Sequence, residues 1–461
     1  MRELKRSKAT VASPQASTAP PSPRAILLEA VVPPRPKPQA PQASYRNGPL
    51  GSLVVALFLL GALYGMQALV RRAAGEWLAG QGSLDRLELA TRVIPDNPFA
   101  WTSLGLAQED GLDALQRAAE LQPNDGAAWV RVSLELEERG DVAGAEAAAL
   151  RAVEVDPGFD SLWTLANFCL RQGREEEFWR YTRQAVRAQP DRTAVAATLW
   201  WRLLDDPARI MALAALEEPA VLRRYLDYLI QQRKIEALPE AWEKFEPAIR
   251  KNDLPMAGEL LEVLLAGEKV DLALEVWNAL AQREIIDLAP ISLADDGLLT
   301  GGDFAHRVSG VGFDWRVDPA PGVYRLQRRL DASTHSFEIR LSGGQEEYSL
   351  LLSQIVPTPP SQTYLFHFEY ATVQLPFLTG LRWTVRDHRS GRILAQSGPV
   401  EAAEDYWNRQ EFEFETPPDT RLVRIELSYQ REPNTERYRG RFVIRSAGLV
   451  RVSPATGAGK P

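Results

Sequence analysis

Residues 126–157 read GAAWVRVSLELEERGDVAGAEAAALRAVEVDP, and the spacing inside this stretch decides the architecture. Trp129 begins a helix whose apolar side carries Val132, Ser133 and Leu136. Gly140 breaks that helix, Ala145, Ala149 and Ala152 line a second, and Pro157 ends the unit. Small side chains belong where two helices cross closely, because a larger one would push the axes apart. The unit recurs. Prolines 123, 157 and 190 are 34 and 33 residues apart, and tryptophans 129 and 163 are 34 apart. The following unit keeps Trp163, Ala166, Leu170, Gly173, Ala185 and Pro190, but has Phe178 where a small alanine is expected. The preceding unit keeps Trp101, Leu104, Gly105, Leu115, Ala118 and Pro123. Against a ~34-residue period it lacks about six residues around its turn, which predicts short helices. Ser83–Pro95 reads as the second helix of a still earlier, incomplete unit.

Together these residues resemble a tetratricopeptide array over about 83–190. The resemblance implies an α-solenoid with a concave face for peptides or partner proteins, packed through the tryptophan, glycine, alanine and proline positions named above. Apolar stripes continue through Ala194–Leu204, Pro219–Gln231, Leu238–Arg250, Pro255–Ala266 and Val270–Arg283, so the solenoid is expected over 71–290. The alternative is a plain spacer between membrane and C-terminal domain. Cys169, the single cysteine, lies between Phe168 and Leu170 and reads as buried packing; no disulfide within the chain can form.

Upstream of the repeats the composition changes twice. Residues 1–50 carry eight basic and two acidic side chains, a net +6, and 10 of the 33 prolines. With a whole-chain charge of −8, the remainder carries −14. A Pro/Ala/Ser-rich segment buries too little apolar surface to offset its ordering entropy, so 1–49 is expected to be a disordered basic tail, as is 453–461. Leu50–Val70, LGSLVVALFLLGALYGMQALV, is 21 residues without a charge and long enough for a ~30 Å hydrocarbon core. It reads as a transmembrane helix. A cleaved signal peptide fits less well, because no A-x-A site precedes Arg71-Arg72. Basic residues near the two ends balance, and the +6 tail places the N-terminus in the cytoplasm. Gly61 and Gly65 form a small-xxx-small pair, the kind that lets two such helices approach and form a homodimer.

After about Ser292 the period shortens to two, and about ten strands with Pro/Gly turns suggest an antiparallel sandwich over 292–452. Tyr364, Phe366, Phe368 and Tyr370 form one alternating row, and Val423, Ile425, Leu427 and Tyr429 another; a further strand is expected at Phe313–Val317. LLTGGDF (Leu298–Phe304), GFDW (Gly312–Trp315), SQIVPTPPSQTYLFHFEY (Ser353–Tyr370) and Trp407 with Phe412, Phe414 and Pro417 follow in order. This order resembles the carbohydrate-binding-module branch of the galactose-binding jelly-roll fold. The resemblance implies a glycan or protein ligand and a structural calcium in the opening segment. Gly301 replaces the family's asparagine and Ala305 its glutamate, and a lost carboxylate works against calcium. No cofactor is therefore expected.

Sugar recognition needs an aromatic face with polar groups beside it. Tyr406, Trp407 and Trp383 are the candidates, with a core position as the alternative for both tryptophans. His367 and His388 read as solvated. No GxSxG, HExxH or phosphate-cradling glycine loop is present, and Glu346-Glu347 are sequence neighbours on opposite strand faces, so no catalytic residue is assigned. The acidic balance argues against nucleic acid. The fold class expected is multidomain: transmembrane helix, α-solenoid, all-β jelly-roll sandwich. The function expected is a membrane-anchored envelope scaffold in the bacterial inner membrane, with the bulk of the chain periplasmic or extracellular. Its repeats would bind protein and its sandwich a polysaccharide. A glycan-binding receptor on a helical stalk and a carbohydrate-active enzyme are the alternatives.

Overall fold

The computed structural model describes residues 49–452 except 296 and 405. The two expected tails, apart from Pro49, lie outside the described residues. The chain divides into two compact units, Met1–Val70 and Arg71–Pro461. The described part of the first is helix α1, which spans Pro49–Ala79 and so ends in the second unit. Within α1, Ser52–Ala79 is long and apolar enough to cross a membrane. A Cβ placed on Gly61 or Gly65 meets nothing within 4 Å, so both lie on open helix surface.

In the second unit helices come first: α2 (Leu84–Val93), α3 (Pro98–Ala107), α4 (Leu112–Leu121), α5 (Gly126–Glu138), α6 (Val142–Val155), α7 (Phe159–Arg171), α8 (Glu175–Ala188), α9 (Thr193–Leu203), α10 (Pro207–Ala214), α11 (Pro219–Gln231), α12 (Leu238–Phe245), α13 (Leu254–Ala266) and α14 (Val270–Gln282). They pair as hairpins, most closely α3 with α4, α5 with α6, and α7 with α8. Ala145 and Ala152 are fully buried where α5 meets α6, and Leu104 is buried in the earlier hairpin. The indole N–H of Trp101 donates to the Pro95 carbonyl at 2.8 Å, and that of Trp129 to the Pro123 carbonyl at 3.0 Å. Each ties a helix to the proline-bearing turn before it. Trp163 instead stacks on Phe159 at 5.6 Å. Pro157 lies in the turn between α6 and α7, and Pro190 begins a single 3-10 turn before α9.

The shortened hairpin has 10 residues in each of α3 and α4, against 13 and 14 in α5 and α6. The short turn brings Gly105 and Gly111 together: a Cβ on Gly111 would stand 1.9 Å from the Gly105 carbonyl oxygen. Gly111→Ala is expected to lower stability by about 1–3 kcal/mol, read as a fall in denaturation midpoint, because backbone must move. Helix ends repeat one device. At Gly140 the chain turns left-handed (φ +79°), and the Asp141 N–H donates to Leu136 O at 2.9 Å. Gly173 does the same for α7. At the ends of α11, α13 and α14 the left-handed residue is Arg233, Glu268 or Glu284, with the same hydrogen bond following each. These carry a cost glycine avoids. Glu284→Gly is therefore expected to raise stability by about 1 kcal/mol in denaturant titration.

Nine strands follow among the described residues: β1 (Val323–Arg329), β2 (His335–Ser342), β3 (Tyr348–Pro357), β4 (Thr363–Val373), β5 (Leu381–Asp387), β6 (Ile393–Gln396), β7 (Asn408–Glu415), β8 (Leu422–Gln430) and β9 (Arg439–Val452). They form two antiparallel sheets, ordered β1-β2-β9-β4-β7 and β3-β8-β5-β6. The alternating rows face inward: Tyr364, Phe366, Phe368 and Tyr370 from β4 meet Leu381, Trp383 and Val385 from β5 and Ile425 and Leu427 from β8, all fully buried. The expected strand at Phe313–Val317 is absent. Phe313 and Trp315 are buried there, but one bridge, Arg316 to Ser353, replaces a ladder.

From α4 onward the helices share one continuous hydrophobic core with the sheets, while α2, α3 and the start of α4 pack in a separate small cluster. The Trp277 and Phe313 rings meet edge-on at 5.7 Å. Glu262 accepts from the Gly312 N–H at 3.2 Å and from Arg316 at 2.9 Å. Gly312 is left-handed (φ +57°), and a Cβ there would lie 2.8 Å from Leu261. Asp271 and Arg421 form a bidentate ion pair, whose hydrogen bonds hold the Asp271 carboxyl below its ordinary value. A folded-state pKa below the unfolded one gives stability above the unfolded pKa that is lost as pH falls through the folded one. The midpoint difference between wild type and Asp271→Asn should therefore be constant at neutral pH and shrink below about pH 4.

Candidate functional site

The outward row of the five-stranded sheet positions the surface aromatics. On β4 the residues alternating with the core row are Leu365, His367, Glu369 and Ala371, all partly exposed. Opposite Glu369 the ladder slips: Glu369 faces Ser446 and Tyr370 faces Ile444, leaving Arg445 as an extra residue. A bulge of this kind re-aims a side chain. Arg445 turns to Glu369, with hydrogen bonds of 2.9 and 2.7 Å, and its guanidinium lies 4.8 Å from the centre of the Trp407 ring. The same hydrogen bonds hold the Glu369 carboxyl below its ordinary value.

Trp407 is 38% exposed and Tyr406 58%. They precede β7, an edge strand. Phe377 and Leu378, in the β4–β5 connection, are 67% and 45% exposed. Two bridges, Thr372 to Glu404 and Leu378 to Glu401, draw that connection beside the segment leading to Tyr406. The Glu404 carboxylate accepts from the Gln374 N–H at 3.2 Å, and the Asn408 side chain donates to the Tyr370 hydroxyl at 3.1 Å. Aromatic and aliphatic surface is thus flanked by carboxylate, amide and guanidinium groups. Such a surface can stack on sugar C–H groups while its rim binds hydroxyls. The run QLPFLTG (Gln374–Gly380) carried the signal for Phe377: apolar residues beside Pro376 in a connection.

Trp383 requires a correction. It is fully buried, with Phe366 at 5.0 Å, Phe368 at 5.5 Å and Trp315 at 6.1 Å, so no face is open to a ligand. Its position on β5 makes it a core side chain, the alternative named for it above. His367 stands over Gly448, where a Cβ would come within 2.5 Å of Nε2. Burial first, then Arg409, lowers its pKa. His388, expected in solvent, is a partly buried group whose pKa falls mainly through desolvation. Asp303 accepts from the Ala305 N–H at 3.2 Å within its own loop. Among the described residues no three His, Cys, Asp or Glu side chains gather as a metal would need. The buried Asp314 accepts from the Ser309 N–H and hydroxyl at 2.6 Å each and from the Trp315 N–H at 2.7 Å. Its oxygens organise a turn.

The helices offer a second surface, a cavity of about 1010 Å³ lined by Ile230 of α11, Leu254, Gly258 and Glu259 of α13, and Val311.

No protein-family model and no curated protein matches the chain. Solved structures similar to parts of it include carbohydrate-binding modules and a tetratricopeptide-repeat protein. "CBM4 structure and function" is 12% identical, with 33% of this chain and 99% of that one covered and a TM-score of 0.26. A CBM61 module in complex with β-1,4-galactotriose is 18% identical, with coverages of 34% and 99% and a TM-score of 0.25. MamA is 20% identical, with coverages of 23% and 66% and a TM-score of 0.22.

Proposed function

We propose that the chain is a membrane-anchored scaffold of the bacterial envelope, whose tetratricopeptide-like hairpins hold a protein partner and whose jelly-roll-like sandwich contacts a glycan. The observation that carries the glycan half is the exposed Tyr406–Trp407 edge, with the Arg445–Glu369 pair against the indole. The cavity along α11 and α13 supports the protein half. Helix α1 supports the anchor. The basic tail supports a cytoplasmic N-terminus in the inner membrane, with 71–461 outside the cytoplasm; production or export of surface polysaccharide as the setting rests on the sequence resemblance to carbohydrate-binding modules alone. No catalytic role is proposed.

The test is binding of the full-length chain, held in detergent micelles, to a panel of bacterial polysaccharides. Saturable binding is expected, weakened by about ten-fold or more in Trp407→Ala or Tyr406→Ala, the scale of one aromatic contact. Unchanged circular dichroism would show that the fold survives. Absence of binding to every polysaccharide would overturn the glycan half and leave the hairpins as the recognition surface.

A further inference from the structure

On the same outward face, three strands from Trp407, the chain builds a second constellation. Glu338 of β2 is 4% exposed although it points away from the core. Three guanidiniums converge on it: Arg340 at 3.1 Å, Arg328 at 3.4 Å and Arg441 at 3.6 Å. Arg340 and Arg441 stand directly opposite each other on β2 and β9. Like charges in that register repel, and a carboxylate beneath them offsets the repulsion. One carboxylate against three guanidiniums leaves two positive charges. Among the described residues the three make one hydrogen bond, Arg340 Nη2 to Glu338, although each guanidinium carries five N–H donors. The Arg445–Glu369 pair on the same sheet is one to one, with two hydrogen bonds, and keeps no such surplus.

Beside the cluster is an apolar platform. Tyr324 of β1 faces Arg340, and Leu326 faces Glu338. Tyr324 is 65% exposed and Leu326 47%. Tyr324, Arg340 and Arg441 form one row across three strands, roughly 10 Å from end to end at ~4.8 Å per strand. An aromatic ring at one end and guanidinium forks at the other suit a ligand with an apolar C–H face and a carboxylate. Guanidinium–carboxylate pairing is bidentate and geometrically specific. This surplus of positive charge lies in a chain that carries −14 beyond its first fifty residues, so it is a local feature.

We infer that the outward face of β1-β2-β9 binds a carboxylate-bearing polysaccharide, with Arg328, Arg340 and Arg441 taking the acid groups and Tyr324 stacking on a ring. This rests on the glycan half of the reading above and names the class of glycan. Glu338 is a positioning residue that holds the forks apart and aimed.

The experiment uses the full-length chain in phosphatidylcholine nanodiscs and two probes with one backbone: polygalacturonate and its fully methyl-esterified form. Polygalacturonate is expected to bind at least ten-fold tighter than the ester, with the difference shrinking as salt rises. Arg340→Gln/Arg441→Gln should abolish the difference, and Arg340→Lys/Arg441→Lys, which keeps charge without the fork, should reduce it partly. Arg328→Gln, on the edge strand, is the control against a folding defect in the pair and should reduce the difference alone. Trp407→Ala should leave the ratio between probes unchanged. Equal binding of both polymers would overturn this inference and leave the glycan reading standing. Binding of neither would overturn this inference, and the polysaccharide panel above would decide the glycan reading separately. Preferential binding of phosphatidylglycerol vesicles, lost in the same arginine variants, would reassign the cluster to an anionic lipid surface and overturn the carbohydrate assignment.

Discussion

Replacing Trp277 with alanine is expected to cost about 3–5 kcal/mol and to destabilise helices and sheets together. Trp277 is 1% exposed and sits in the last helix, yet its ring meets Phe313 at 5.7 Å in the segment that leads into the sandwich. Its indole N–H donates to the Ala289 carbonyl at 3.2 Å, fixing the connection between the two parts. Gly312 is placed so close that a Cβ would lie 3.1 Å from the ring. Removing the indole opens a cavity in a core that both parts line and leaves a carbonyl without its donor. Denaturant unfolding of the full-length chain in mild detergent, followed by helical ellipticity and by hydrogen exchange of the β4 and β8 amides, should show both signals shifting together. A shift confined to the helical signal would contradict the shared core, and a cost under about 1 kcal/mol would contradict the packing.

The second large effect is at Trp383. Trp383→Ala is expected to cost about 3–5 kcal/mol, because three aromatic rings lose their common neighbour between the sheets. Trp407→Ala, by contrast, removes a side chain that is 38% exposed and lies beneath one guanidinium, so its stability cost should be about 1 kcal/mol or less. The pair separates structure from recognition: Trp383→Ala lowers the denaturation midpoint, while Trp407→Ala lowers glycan affinity with the midpoint nearly kept.

What could be read from the residues follows from how local each signal is. Helical hairpins with a 34-residue spacing and alternating rows on β4 and β8 are short-range patterns, and the structure has helices and strands there. Helix α10 falls between the apolar stripes named at Ala194–Leu204 and Pro219–Gln231: it is short, and it starts at Pro207 with Asp206 accepting from the Arg209 N–H at 3.1 Å. The strand expected at Phe313–Val317 shows the opposite error. The apolar alternation of Phe313, Trp315 and Val317 imitates period two, but residues 312–315 are all buried, because the chain there passes between helices and sheets. At the candidate site, Tyr406 and Trp407 were visible as neighbours in sequence. Arg445 was not, because its aim depends on a bulge. Nor was the Arg328–Arg340–Arg441 cluster: it needs β9 to lie beside β2, and about a hundred residues separate them with no local trace of the pairing.

That strand order bears on how the protein is made. Among the described strands, β9 leaves the ribosome last, and it lies in the middle of the five-stranded sheet, with β2 on one side and β4 on the other. Until it arrives, β1-β2 and β4-β7 are two separate ribbons, each with an unpaired inner edge, and two-stranded ribbons are only marginally stable in water. The five-stranded sheet therefore cannot close until β9 has been synthesised. For that interval the exposed edges are open to pairing with another chain, which makes a nascent form ending before Arg439 a natural client for a holding chaperone.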